Sequence, residues 1–122
     1  MATDLTIALV NRPGSLAAAS EALGRAGINI DGACGYVCGE IGNYHVLVAE
    51  PERARHALID AGFEIIDERL VAVCAVDDRP GAAAALLRRV ADRGSNVDLL
   101  YLTGGKLVVG GDDVAAIERA LA

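Results

Sequence analysis

Asn11 precedes an Arg12-Pro13-Gly14 turn, and Asn29 follows at a distance of 29 − 11 = 18 residues. A carboxamide donates and accepts hydrogen bonds, so two of them suit a zwitterion that carries both a carboxylate and an ammonium group. Glycine at position 14 lets a ligand approach the backbone, and the N–H groups and dipole of a helix starting there favour an anion. The Arg12 guanidinium adds a group that pairs with carboxylates. Farther along, Asp78-Arg79-Pro80-Gly81 and Asn96 reproduce the pattern, again with 96 − 78 = 18. The second version carries Asp78 in place of Asn11. A carboxylate there repels a ligand carboxylate but holds an ammonium group, so the two sites need not bind alike.

The elements that must position these residues are also duplicated. Val10 to Asp31 aligns without a gap on Asp77 to Asp98, at an offset of 79 − 12 = 67. An internal repeat of this kind governs the rest of the fold reading. Leu5 to Val10 is β-rich and stops at the Asn11-Arg12-Pro13-Gly14 turn. Asn11 is a good N-cap type and proline is tolerated in a first helical turn, which predicts a helix starting there. Leu16, Ala19, Ser20 and Leu23 share one helical face, and Ala83, Leu86, Leu87 and Val90 repeat it. Gly27 and Gly94 close the two helices.

Extended segments follow at 28–38 and 96–102. Glycines 39 and 42, and 104 and 105, supply the positive φ of tight hairpins before return strands at 44–49 and 107–109. Glu50-Pro51 opens a helix that buries Ala54, Ala57, Leu58 and Ala61; Asp112-Asp113 opens its counterpart with Ile117, Ala120 and Leu121 inward. The offset here is 121 − 58 = 63, so the second hairpin is four residues shorter. A strand at 63–67 completes the first half, and another at 70–76 begins the second. The pattern predicts an α+β fold of two units, 1–68 (βαββαβ) and 69–122 (βαββα). Each is a ferredoxin-like antiparallel sheet with helices on one face. In the second, a missing last strand leaves a sheet edge to be covered by another segment or chain.

Bulk properties exclude several classes. The formal charge is −6 and aromatics are only 3% of 122 residues. Phosphate backbones are therefore poor partners, and bases have few side chains to stack on. No apolar run approaches the roughly 20 residues of a bilayer span, and the first residues lack the pattern of a signal peptide. Three cysteines without framework spacing read as reduced thiols, and the expected location is cytoplasmic. Cys34, Tyr36, Cys38 and His45 fall on one strand face, but C-x3-C along a strand holds the sulfurs roughly 13 Å apart, too far for one ion. Tyr36 and His45 are candidates for a pocket or dimer face, and Cys74 reads as a small core residue. No Walker loop, nucleophile elbow or metalloprotease motif is present. Neither a cofactor nor a catalytic residue is expected.

The stretch N-R-P-G-S-L-A followed by R-A-G-I-N-I, set in a βαββαβ pattern, resembles the ACT domain family of small amino-acid-binding regulatory modules. The likeness covers almost the whole chain as two tandem copies. It implies a ligand held by the strand-to-helix loop, Asn11, Arg12, Pro13, Gly14, Ser15 and Leu16, and by Asn29 and Ile30 at the second strand. Asp78, Gly81 and Asn96 take the corresponding places in the second copy. Asn11 and Asn29 match the two ligand-binding asparagines of serine-responsive members, whose additional histidine would fall near Leu9, which cannot hydrogen-bond. The implied protein is a non-catalytic sensor of a free amino acid or similar metabolite, a homodimer that acts on an enzyme or regulator. The alternatives are an assembly module without a ligand and a small enzyme of the same fold.

Overall fold

A computed structural model describes all residues, Met1–Ala122, and they form two compact units: Thr3–Arg69, and Leu70–Ala122 together with Met1 and Ala2. The first unit contains β1 (Ala2–Val10), α1 (Ser15–Arg25), β2 (Gly32–Cys38), β3 (Ile41–Val48), α2 (Pro51–Asp60) and the first half of β4 (Glu64–Ala75). Its strand order is β2-β3-β1-β4, which leaves β2 at an edge. Antiparallel register pairs Thr6 with His45 and His45 with Cys34, and likewise Ile7 with Tyr44 and Tyr44 with Gly35.

Because side chains alternate along a strand, the register fixes two faces. Leu5, Ile7, Leu9, Val46 and Val48 form one core with Ala19 and Leu23 of α1 and Ala54 and Leu58 of α2. Asp4, Thr6 and His45 lie on the opposite face and are also buried. The C-terminal end of α1 is held by Arg53, which donates to the Ala26 carbonyl at 2.5 Å.

The second unit contains the rest of β4, α3 (Ala82–Asp92), β5 (Leu99–Thr103), β6 (Lys106–Gly110) and α4 (Val114–Leu121), in strand order β4-β6-β5. Ala72, Val90, Leu107, Val109, Ile117, Ala120 and Leu121 make its core. Asp113 caps α4, its Oδ1 accepting from the Ala116 amide at 3.1 Å. The Met1 ammonium pairs with Glu118 at 3.1 Å. The α+β class and the tandem ferredoxin-like plan are those of the sequence reading.

Four local expectations are corrected. Neither Asn11 nor Asp78 is a helix N-cap: Gly14 (φ 90°) and Gly81 (φ 85°) take that place without any side-chain cap, and the helices begin at Ser15 and Ala82. The left-handed glycines reverse the chain after proline, so the helix starts later than the asparagine predicts. The strands expected at 63–67 and 70–76 are one strand, β4, because nothing in Asp67-Glu68-Arg69 breaks an extended chain. Leu16 and Ala61 are exposed rather than inward. Gly42 has no positive φ; it lies within β3 against Leu9, and a Cβ there would stand 3.5 Å from the Leu9 carbonyl oxygen.

Candidate functional site

The end of β1, the start of α1 and the β2–β3 hairpin converge on an open pocket of about 550 Å³ within the first unit. The Asn11 amide donates to the Glu40 carbonyl at 3.3 Å, tying the turn to the hairpin, and Arg12 N–H donates to Val10 O at 2.9 Å. All six turn residues, Asn11 to Leu16, line the pocket. Facing them are Gly35, Tyr36 and Val37 of β2 and Gly42, Asn43 and Tyr44 of β3. Volumes of roughly 300–1,000 Å³ are typical of small-molecule sites.

Its electrostatics are set by what is missing around the helix start. α1 has no acidic residue in its first turn and no side-chain cap, so its first amides carry no competing anion. Such amides lack intrahelical acceptors. Among the lining residues Arg12 is the one charged side chain. Asn11 and Asn43 supply carboxamides, and the Tyr44 hydroxyl is engaged with Ser20 Oγ at 2.9 Å. The rest of the wall is largely apolar and includes Leu9, Val10, Leu16, Ala33, Val37 and the faces of glycines.

Asn29 and Ile30 are not in this wall. Asn29 is exposed and its Nδ2 donates to Asp31 Oδ1 at 2.7 Å, while Ile30 packs against the core. The residues precede β2, which begins only at Gly32, and the pocket lining on that strand starts at Ala33. In the second unit Asp78 and Asn96 are exposed, and Gly81 holds the N-cap position of α3. Asp78 is flanked by the exposed pair of Arg79 and Asp77 at 3.4 Å.

The other sheet face holds the buried polar cluster. Asp4 Oδ2 lies 2.8 Å from His45 Nδ1 and accepts from Thr6 Oγ1 at 3.5 Å. Tyr36 stacks over His45 with ring centroids 6.0 Å apart. Of that pair, Tyr36 reaches the pocket wall and His45 does not. Cys34 lines the pocket, Cys38 is exposed, and burial pushes the Cys74 thiol above its ordinary pKa against a smaller opposing pull from Arg89.

Sequence reasoning missed Gly35, Gly42, Asn43 and Tyr44. The available signal was an isolated glycine in a strand pattern, which marks a close approach as readily as a turn.

A fold of this kind with a strand-to-helix pocket defines a class: residues 1–118 match the family model described as an ACT domain pair, and the chain belongs to that family. Among solved structures it is similar to protein BT0572 from Bacteroides thetaiotaomicron, with TM-score 0.87, 24% identity, and coverage of 98% of this chain and 85% of that one. The ligand-free regulatory subunit of aspartate kinase from Thermus thermophilus is similar at TM-score 0.71 and 21% identity, covering 98% and 89%. These likenesses establish the fold. No curated protein matches the chain. No helix is long and apolar enough to cross a membrane.

Proposed function

We propose that this ACT domain pair is a non-catalytic regulatory module that binds a free amino acid in the pocket of its first unit. The observation that carries the reading is that the uncapped start of α1 and the whole turn Asn11–Leu16 form one wall of a ligand-sized cavity. The α-carboxylate lies against the first-turn amides with Arg12 beside it, and a carboxamide oxygen of Asn11 or Asn43 accepts from the α-ammonium. That the Thermus thermophilus neighbour is, by name, a regulatory subunit supports a regulatory duty for this fold.

Occupancy is passed on through a partner, either a second copy of this chain or a separate enzyme or regulator, and the whole works in the cytoplasm. A homodimer is favoured by the exposed apolar residues at the β2 edge, Tyr36 and Val37, with Val10 and Ile41 nearby. The same edge would serve an assembly module without a ligand. A thermal-shift screen against the twenty amino acids separates the two. A ligand at 100 times its Kd stabilises by about 2.7 kcal/mol. A hit lost in Asn11→Ala supports the sensor; silence at 10 mM of every amino acid, with a stable dimer by sedimentation, refutes it.

A further inference from the structure

The repeat supplies a comparison within one molecule. The hairpins correspond at their roots: Asp31 N–H donates to Leu47 O at 2.9 Å, and Asp98 N–H donates to Gly110 O at 3.0 Å. The β2 offset is therefore 98 − 31 = 67 and the β3 offset is 110 − 47 = 63. Gly35, in register with Tyr44, then corresponds to Leu102, in register with Leu107. Directly opposed residues of an antiparallel pair project from the same face. Tyr44 packs against the first core and Leu107 belongs to the second, so both pairs face the helices.

Gly35 is thus an empty position on the helix-side face of an edge strand. A Cβ built there would meet Tyr44 Cδ1 at 3.9 Å and Leu16 Cδ2 at 4.0 Å, which is ordinary contact, and its φ is not in the left-handed region. Backbone conformation does not require glycine here. Glycine does leave a slot bounded by Leu16 and Tyr44, whose hydroxyl is already taken by Ser20. In the second unit the corresponding position carries Leu102, 62% exposed on the edge strand β5, and Tyr44, Ser20 and Asn11 become Leu107, Leu87 and Asp78.

We infer that Gly35 is the specificity-determining residue of the module: it opens a side-chain slot for an α-amino acid with an uncharged, apolar side chain, while Asp78 in place of Asn11 restricts binding to one site per chain. This inference rests on the amino-acid reading above. The slot is walled by Leu16, Val37 and the Tyr44 ring and has no carboxylate to pair with a cationic side chain, so an apolar side chain gains contact there that a charged one does not. A ligand carboxylate in the second unit would meet Asp78.

The test is isothermal titration of the full chain and of Gly35→Ala and Gly35→Leu with leucine, phenylalanine, alanine, lysine and aspartate. The fold already tolerates leucine at the corresponding strand position, and circular dichroism checks each variant. The full chain is expected to bind one equivalent of an apolar amino acid in preference to lysine and aspartate. Gly35→Leu loses about 10-fold or more, as expected where added methylenes compete for a hydrophobic slot. Gly35→Ala shifts preference toward the smaller ligand. Binding unchanged in both variants, two equivalents per chain, or tightest binding of lysine or aspartate overturns the inference while leaving the amino-acid reading intact. No binding of any amino acid to the full chain overturns both.

Discussion

Gly14 and Gly81 offer a controlled measurement of what holds the strand-to-helix turn. Their backbone angles are nearly the same, φ 90° and ψ −12° against φ 85° and ψ −10°. A Cβ added at either would meet nothing within 4 Å. Alanine therefore introduces no steric contact, and its cost is the left-handed conformation alone, about 1–2 kcal/mol for an L-residue. Gly14→Ala and Gly81→Ala should consequently destabilise by the same amount. With a urea m-value of about 1–3 kcal/mol/M, the unfolding midpoint should fall by roughly 0.3–2 M, and by the same amount in each. Ligand binding divides the pair, since Gly14 lines the pocket: Gly14→Ala weakens it and Gly81→Ala does not. Stability equal to the parent in either variant, or costs differing by more than about 1 kcal/mol, would refute the argument that backbone conformation alone selects glycine at these turns.

Gly111→Ala should behave quite differently. The new Cβ would overlap the Asn96 carbonyl oxygen and lie 2.6 Å from Ile117 Cδ1. Because the first of these is backbone, a loss of about 3 kcal/mol or more is expected by chemical denaturation. Leu58→Ala, at a fully buried position, should cost about 2–5 kcal/mol, whereas Ile59→Ala, at 54% exposure on the same helix, should stay within about 0.5 kcal/mol. In an iodoacetamide time course read by mass spectrometry, exposed Cys38 should react before Cys74, whose thiol is held protonated by burial. The alkylation rate of Cys74 should rise only at a pH above that of an ordinary thiol. The raised folded pKa also means that its contribution to stability is present below the unfolded pKa and fades as pH rises through the folded value.

Duplication, hydrophobic spacing and turn glycines made the fold legible. The offset of 67 carried both helices and both closing glycines, Gly27 and Gly94, into place. What escaped depended on continuity and on space. β4 runs through Asp67-Glu68-Arg69 because exposed charged residues are compatible with a strand, so a polar run does not mark a break. Asn29 bonds its neighbour Asp31 instead of reaching the turn, a local choice that residue type alone does not settle. Gly35 contributes to the pocket by lacking a side chain, and an absence of atoms leaves only an indirect trace in sequence. The turn Asn11–Leu16 was legible because its chemistry is carried by backbone geometry that Pro13 and Gly14 announce.

The central claim is that an amino acid occupies the cavity between that turn and the β2–β3 hairpin. Its most direct test is a titration of the ¹⁵N-labelled chain with leucine, followed by amide chemical shifts. Saturable changes concentrated at Asn11, Gly14, Ser15, Leu16, Gly35 and Tyr44, with little change in α3 and β5, are the predicted result. No saturable change, or a response centred on Gly81 and Leu102, would contradict it.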